Sequence, residues 1–383
     1  MNRKVLYCCL LVLLARPGLE GQDPYGMSFQ TQRAMINPSF VGITGVESIQ
    51  VNAKMQWNNF GDASDRYQTL SVLIEEPLPC TRLLDIGIKL LNDQEGKARY
   101  KTTELGFLSS ITITPVKTKF IQHNIRIGGD FSFGRNSLDF TNLIFSDQLN
   151  PKYGIYDAAG NLNPTAFVAP GNNQSWYFNP GFGVSYIRNA NATTHRSYVI
   201  NTGMAAYRAY GTINTRWLQY NSLTGIATVD PWRFTAHFLY EKNYAHLNSN
   251  LSKIKFFAVY QNQGGIDYVE IGARVGVINN RLGLVSSLHF TPLSQYTNNT
   301  KWVDLMLEYK FKPRQGRLVE MNLSYGHNIG GLSNTIGPIL GLGFAYRLNK
   351  STLCKLDNIY DVNCYDLTLP ENWRIYENVW YKD

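Results

Sequence analysis

The chain has 383 residues and a formal net charge of +8 at pH 7. After its first residues there is no run of roughly twenty apolar residues, which argues against a helical membrane protein. The basic residues are dispersed rather than collected in a run, so nucleic-acid binding is disfavoured. Contacts with anionic lipid headgroups or an acidic client remain open. The length fits two or three soluble domains or one large barrel.

The start of the chain has the pattern of a secretory signal peptide. Arg3 and Lys4 precede an apolar stretch, residues 5–15, and Gly21 offers a small residue for cleavage. We therefore predict that residues 1–21 direct export and are then removed. This prediction places the rest of the chain outside the cytoplasm.

A lead-in segment is predicted next, over residues 22–44. It contains the turn-forming stretch Asn37 to Gly42, Asn-Pro-Ser-Phe-Val-Gly, which cannot belong to the interior of a strand. The first strand follows from Ile49 to Trp57, with apolar residues at every second position and polar residues between them. Such a strand buries one face in a soluble core, or turns it to lipid with the polar face toward a lumen.

The same pattern recurs along the chain and decides between these alternatives. In the predicted fifth strand, Arg126 and Asp130 lie on one face, which suits a polar lumen better than a dry core. Many predicted strands begin or end in Trp, Tyr or Phe, where a membrane barrel places its interfacial girdles. We predict an all-β fold, a transmembrane antiparallel outer-membrane β-barrel of about fourteen strands over residues 45–346. The predicted strands are residues 49–57, 67–74, 84–91, 105–113, 124–133, 176–187, 198–207, 232–240, 254–260, 268–277, 282–290, 302–311, 318–325 and 335–346.

Turn signals separate these strands. Asn92, Asp93 and Gly96 belong to a turn predicted over residues 92–96, and Pro115 is predicted to end the fourth strand. The segment 134–175 lacks a strand pattern and is predicted to be a long extracellular loop, as is the segment 208–231. An even strand number places both ends of the barrel on the periplasmic side.

A C-terminal periplasmic tail is predicted for residues 347–383. It could fill the lumen, pack under the barrel or bind a periplasmic partner. Its Cys354 and Cys364 could form a disulfide in an oxidising compartment, which would leave Cys80 unpaired. Three free thiols are the alternative, because spacing alone does not establish a bridge.

Several motifs, in this order, resemble those of the PorP/SprF family of the Bacteroidetes type IX secretion system. They are Asn37 to Gly42 with its Asn37, Pro38 and Gly42, then Gln56 and Trp57, then Asn92, Asp93 and Gly96, then Asp139 and Phe140, then Phe145, Asp147 and Gln148. Ser39 and Phe40 stand where Ala and Tyr are usual in that family, and the tail after Tyr346 is longer than the family's ending.

The resemblance implies an outer-membrane β-barrel without enzymatic activity. It further implies a role in secreting or attaching proteins with C-terminal targeting domains, gliding adhesins included, together with other type IX secretion components at the periplasmic face. Outer-membrane lipid is an expected partner, and nucleic acid is not. The leading hypothesis is therefore a barrel that binds or anchors a secreted client at the cell surface. A general diffusion porin or channel is the alternative.

No active-site motif supports an enzyme. The sequence lacks metalloprotease, hydrolase-elbow and phosphate-loop motifs, and we expect no cofactor and no metal. His237 and His289 are predicted to be structural, and Ser286 or Ser287 near His289 does not establish the Ser/His pair of a barrel lipid hydrolase.

Asp139 and Asp147 flank two phenylalanines in the long loop. They could form a client-binding or cation-binding surface. Alternatively, Asx turns and buried aromatic rings could simply fold the loop back on the barrel.

Overall fold

A computed structural model describes most of the barrel and the segment that precedes it. The described residues are 28–45, 47–56, 67–78, 84–96, 99–117, 121–152, 154–157, 159–168, 174–190, 198–208, 232–243, 251–263, 266–278, 280–291, 301–314, 317–329 and 337–348. Trp57, Cys80, Cys354 and Cys364 lie outside these ranges, as do the predicted signal peptide and the tail beyond residue 348.

Fourteen antiparallel strands form one closed barrel, which confirms the predicted fold class. Each strand pairs with its neighbours in sequence, and β1 closes the ring by pairing with β14. Closure leaves no free sheet edge, as a strand-built membrane protein requires. The strands are β1 (Glu47–Gln56), β2 (Tyr67–Pro77), β3 (Leu84–Glu95), β4 (Tyr100–Lys117), β5 (Ile121–Ser137), β6 (Gln174–Ala190), β7 (Tyr198–Tyr207), β8 (Arg233–Asn243), β9 (Leu251–Gln263), β10 (Ile266–Val277), β11 (Leu282–Phe290), β12 (Lys301–Arg314), β13 (Arg317–Asn328) and β14 (Ile339–Leu348).

Strand alternation turns polar side chains inward and apolar side chains outward. In β5, Arg126 and Asp130 are buried in the lumen, whereas Phe131 and Phe133 expose 51% and 62% of their surface on the outer wall. A soluble protein would bury the phenylalanines instead. The inside-out arrangement predicted from this strand is thus confirmed.

The turn predicted over residues 92–96 is wrong in its position. Asn92 and Asp93 still pair with β2 and β4, and only Gly96 has left-handed backbone, with φ +61°. The polar residues continue the strand because the barrel satisfies them. Asp93 accepts a hydrogen bond from the Thr69 hydroxyl at 2.5 Å, and Asn92 accepts one from Thr103 at 3.2 Å.

Many strands are longer than predicted; β5, for example, continues to Ser137, into the segment predicted to be loop. Pro115 does not end β4, because the strand continues to Lys117 across a register irregularity between Ile113 and Val116. A bulge of this kind accommodates a residue without an N–H donor. At the other end of the chain, β14 begins at Ile339, later than the predicted residue 335.

The two ends of the barrel differ. The first residue of β1 pairs with the last residue of β14, so both ends of the strand series lie together at what we call the terminal end. At the opposite end, which we call the loop end, β5 and β7 end and β6 and β8 begin. Among the described residues, no helix is long and apolar enough to cross a membrane.

Short helical turns occur outside the strands. Before β1 lie a four-residue α-helix, α1 (Arg33–Ile36), and a 3-10 turn, Pro38–Phe40. Two more 3-10 turns, Phe140–Asn142 and Ser146–Gln148, lie in the connection between β5 and β6.

Candidate functional site

The segment of residues 28–45, here called the plug, folds inside the barrel lumen. Phe29, Phe40 and Val41 are each at most 1% exposed. The ring of Phe40 lies 4.6 Å from the imidazole of His237, and that of Phe29 lies 5.7 Å from the same imidazole, measured between centroids. The plug therefore supplies an apolar core to a lumen whose wall is otherwise polar.

The stretch Asn37 to Gly42 forms the centre of the plug. The side-chain oxygen of Asn37 accepts a hydrogen bond from the Ser39 N–H at 2.9 Å, which caps the 3-10 turn. The same side chain donates to the carbonyl oxygens of Val184 and Met204, at 3.3 and 3.1 Å. One asparagine thus fixes the turn and ties it to the wall.

Glycines in the wall make room for this turn. A Cβ at Gly128 would lie 2.3 Å from the backbone nitrogen of Ser39. A Cβ at Gly183 would lie 2.1 Å from the side-chain oxygen of Asn37. Neither contact is possible between real atoms, so the plug backbone approaches this wall as closely as it does only because both positions lack a side chain.

A buried arginine binds the plug to β3 and β4. Arg126 donates to the carbonyl oxygen of Ser39 at 2.8 Å, and also to that of Val41. Its guanidinium forms an ion pair with Asp85 at 2.7 Å. The Ser110 hydroxyl donates to the Val41 carbonyl at 2.8 Å. The planar, multiply donating guanidinium suits this role, which a lysine could not fill with one ammonium group.

Two carboxylates hold the ends of the plug. Glu270 accepts hydrogen bonds from the Ser28 hydroxyl at 2.8 Å and from the Phe29 N–H at 3.2 Å. Glu75 accepts one from the Gly42 N–H at 3.3 Å. Gly42 has left-handed backbone, with φ +70°, so a larger residue there would be strained.

Several other charged groups in the lumen form ion pairs. Lys89 forms ion pairs with Glu104, at 2.9 Å, and with Asp130. Nearer the terminal end, Glu241 accepts from Lys253 at 2.7 Å and from Lys255 at 3.2 Å. Paired charges satisfy one another without bulk water, which is consistent with a lumen that is filled. Within the described ranges, no group of three or more His, Cys, Asp or Glu residues could hold a metal ion.

The His289 cluster does not have the geometry of a hydrolytic triad. The Ser287 hydroxyl and the Asp304 carboxylate both face the same ring nitrogen, Nε2, each at 2.9 Å. The Tyr268 hydroxyl faces Nδ1, and the Trp302 ring stacks on the imidazole at 4.8 Å. A triad needs the serine and the carboxylate on opposite nitrogens. His237, in turn, is buried in the plug core and hydrogen-bonded to Asn201 at 3.1 Å.

The loop motif around Asp139 and Asp147 forms a small fold of its own. Asp139 caps the turn Phe140–Asn142 by accepting from the Thr141 N–H at 3.1 Å. Asp147 accepts from the Ala166 N–H at 2.6 Å. That hydrogen bond lowers the pKa of the Asp147 carboxyl below its usual value, aided by the Thr165 hydroxyl.

Aromatic rings and an amide complete the loop fold. The Phe145 ring stacks on Phe167 with 4.2 Å between centroids, and Phe140 contacts the same ring at 5.6 Å. Gln148 accepts from the Phe145 N–H at 2.9 Å and donates to the Asn163 carbonyl at 2.8 Å. These contacts fit the interpretation in which turns and aromatic packing explain the motif. The carboxylates of Asp139 and Asp147 both accept hydrogen bonds from within the loop itself.

Sequence reasoning missed the plug. It treated Asn37 to Gly42 as part of a lead-in and considered the C-terminal tail as a possible lumen filler. The available signal was the apolar content of the stretch, with Phe29, Phe40 and Val41 in a segment that has no strand partner. The structure brings Asn37, Pro38 and Gly42 into the lumen and keeps Gln56, Asn92 and Asp93 in the wall.

The closed wall, the apolar exterior and the polar lumen define an outer-membrane type of β-barrel. The family described as type IX secretion system membrane protein PorP/SprF matches residues 19–335. The chain therefore belongs to that family. No curated protein matches.

Several solved outer-membrane barrels match this chain at low identity. A Pseudomonas aeruginosa FadL homologue gives a TM-score of 0.39 at 10% identity, over 86% of this chain and 98% of that one. Acinetobacter baumannii Omp33 gives 0.37 at 9% identity, over 79% and 100%. The Ralstonia pickettii toluene transporter TbuX gives 0.37 at 10% identity, over 86% and 96%.

Proposed function

We propose that this barrel is a non-enzymatic component of the type IX secretion system that binds a secreted client at the cell surface, a gliding adhesin being one candidate. The filled lumen is the observation that carries the proposal. Among the described residues, the plug is docked across the lumen through Arg126, Glu270 and Asn37, where a diffusion porin needs a wide aqueous path. Family membership supports the secretion role.

The proposal also covers orientation and processing. The terminal end faces the periplasm, where residues 347–383 meet other secretion components, and the loop end faces outward. Residues 1–21 are removed on export, residues 22–44 are the N-terminal lead-in that precedes the barrel, and residues 45–346 form the barrel. In the oxidising periplasm, Cys354 and Cys364 pair.

The folded loop between β5 and β6 is the proposed client contact. Its own hydrogen bonds keep Asp139, Asp147 and Gln148 engaged internally. Meanwhile Leu162 and Val168 expose 60% and 85% of their surface. Apolar side chains on a fold that is already ordered favour protein binding, because little ordering entropy remains to be lost.

Affinity purification from the native outer membrane, after chemical crosslinking, tests this function. We expect a large secreted protein and periplasmic secretion components to accompany the tagged barrel. The variant Leu162→Glu should lose the client and keep the periplasmic components. Lys152→Glu, a charge change at an exposed polar position of the same loop, is the matched control. Recovery of the barrel alone under crosslinking would contradict the proposal and favour the porin.

A further inference from the structure

The outer wall has a groove across β6 to β10. It has a volume of about 850 Å³ and is lined by apolar side chains. Its floor is built from small residues on adjacent strands: Ala206, Ala236 and Ala258. Large outward side chains border it, including Phe182 and Phe238, which are 58% and 46% exposed. The depression therefore arises because three neighbouring strands present alanines to the lipid where others present large residues.

Two cations, Arg188 and Lys242, and the imidazole of His123 lie beside this groove at the terminal end of the barrel. His123 of β5 and Arg188 of β6 are cross-strand partners, and Lys242 of β8 is the partner of Tyr198 in β7. Because side chains alternate along a strand, all three lie on the outer wall, the same face of the sheet as Tyr186. At this height a barrel meets the lipid headgroups.

Tyrosine rings connect these polar side chains to the groove. Tyr186 lines the groove, and its hydroxyl forms a 2.5 Å hydrogen bond with His123. The guanidinium of Arg188 lies 5.8 Å from the centre of the Tyr198 ring. The Nε of Arg188 is buried and has no hydrogen-bond partner among the described residues. The apolar and the cationic parts thus form one continuous surface.

The charge on this wall has one sign. The acidic residues of the described parts of β5 to β9 are Asp130 and Glu241, and both are buried in the lumen. The outward cations of the same strands are Arg188 and Lys242 at the terminal end and Arg135 at the loop end. An anionic group at the terminal end is therefore attracted by Arg188 and Lys242, and the described residues of these five strands place no carboxylate on the outer wall.

We propose that this surface is a phospholipid-binding site, with the phosphate at His123, Arg188 and Lys242 and an acyl chain in the alanine groove. Charge complementarity favours an anionic headgroup, and the position of the groove within the apolar wall favours an acyl chain. Arginine is suited to the phosphate because its guanidinium donates from several nitrogens at once. The bound lipid would fix the barrel in the leaflet at its terminal end.

Native mass spectrometry of the full chain in detergent tests the site. Dipalmitoyl phosphatidylglycerol is the probe, dipalmitoylglycerol lacks the phosphate, and inorganic phosphate lacks the chains. We expect Arg188→Gln to weaken phosphatidylglycerol binding about tenfold, as expected for the loss of one charge-assisted hydrogen bond. Arg135→Gln is its control, because Arg135 is an outward cation beside Trp176, 5.8 Å from the ring centre, at the other end.

A second pair of variants tests the groove. Ala236→Phe should weaken binding of the same probe by filling the groove, whereas Ala53→Phe, on the outward face of β1, should not. Equal binding by all four variants would overturn the proposal. So would equal binding of dipalmitoylglycerol, or displacement of the lipid by inorganic phosphate alone. The proposal would also be overturned if the unsubstituted protein had the mass of a dimer and Ala236→Phe abolished it, because a second copy of the chain would then cover this wall.

Discussion

Adding one methyl group at Gly128 should loosen the plug, and adding one at its neighbour Gly129 should not. At Gly128 the new Cβ would lie 2.3 Å from the Ser39 nitrogen and 2.4 Å from the Pro38 carbonyl carbon. Both are backbone atoms, so the overlap is relieved only if the plug or the strand moves. At Gly129 the nearest atom is a ring carbon of Phe131 at 3.4 Å, which is ordinary contact on the outer wall.

The expected size of the effect follows from the packing. Forcing an extra methyl group into a filled interior costs about 1–3 kcal/mol. The docked state of the plug loses that free energy, whereas the undocked state does not. The undocked population should therefore rise roughly 5-fold to 160-fold in Gly128→Ala.

Thiol labelling measures this population. Ala34 of the plug is 2% exposed, so an Ala34→Cys reporter should react with a water-soluble maleimide only when the plug undocks. The background carries serine in place of Cys80, Cys354 and Cys364. We expect faster labelling in Gly128→Ala and an unchanged rate in Gly129→Ala. Equal rates in the two variants would refute the close approach of plug and wall.

Three further outcomes follow from buried or paired charges. Arg126→Met should also accelerate labelling of the plug reporter, because it removes the donors to two plug carbonyls. It also leaves the Asp85 carboxylate without its guanidinium partner, which destabilises the docked state by about 3–5 kcal/mol. An unchanged labelling rate would contradict this. Lys89→Met should lower the temperature at which the barrel loses its heat-resistant mobility in detergent gels, since two buried carboxylates lose their cation, and an unaltered midpoint would count against it. The Ala166 amide should be protected from hydrogen exchange at pH 5 and lose that protection as the pH falls below the ordinary aspartate pKa of about 3.9. The pKa of Asp147 is lowered in the folded loop, so the ionised carboxylate stabilises the loop above that pH, and the stabilisation is lost as the carboxylate is protonated. Asp147→Asn should abolish this pH dependence.

The wall of the barrel could be predicted because its pattern is local. In β5, the alternation of Arg126 and Asp130 with isoleucine and phenylalanine already indicates which face meets lipid, and the structure places them so. Strand ends were less predictable. Asn92 and Asp93 resemble a turn, yet partners on neighbouring strands, distant in sequence, keep them in the sheet.

The strand pattern could not predict the plug, because burial in a lumen has no sequence period. A lumen-facing residue contacts either water or another segment, and the strand pattern is the same in both cases. Gly128 and Gly183 are informative only once the structure shows Ser39 and Asn37 against them. In the same way, the pairing of Phe29 with Glu270 joins residues that are 241 positions apart.

Single-channel recording in planar bilayers tests the central claim that the lumen is filled and that the protein acts by binding. The intact chain is compared with Gly128→Ala, Gly129→Ala and a chain lacking residues 28–45. We predict no stable conductance steps for the intact chain and for Gly129→Ala, brief openings for Gly128→Ala, and sustained steps for the deletion. Sustained steps from the intact chain, equal in size to those of the deletion, would show an open pore and contradict the claim.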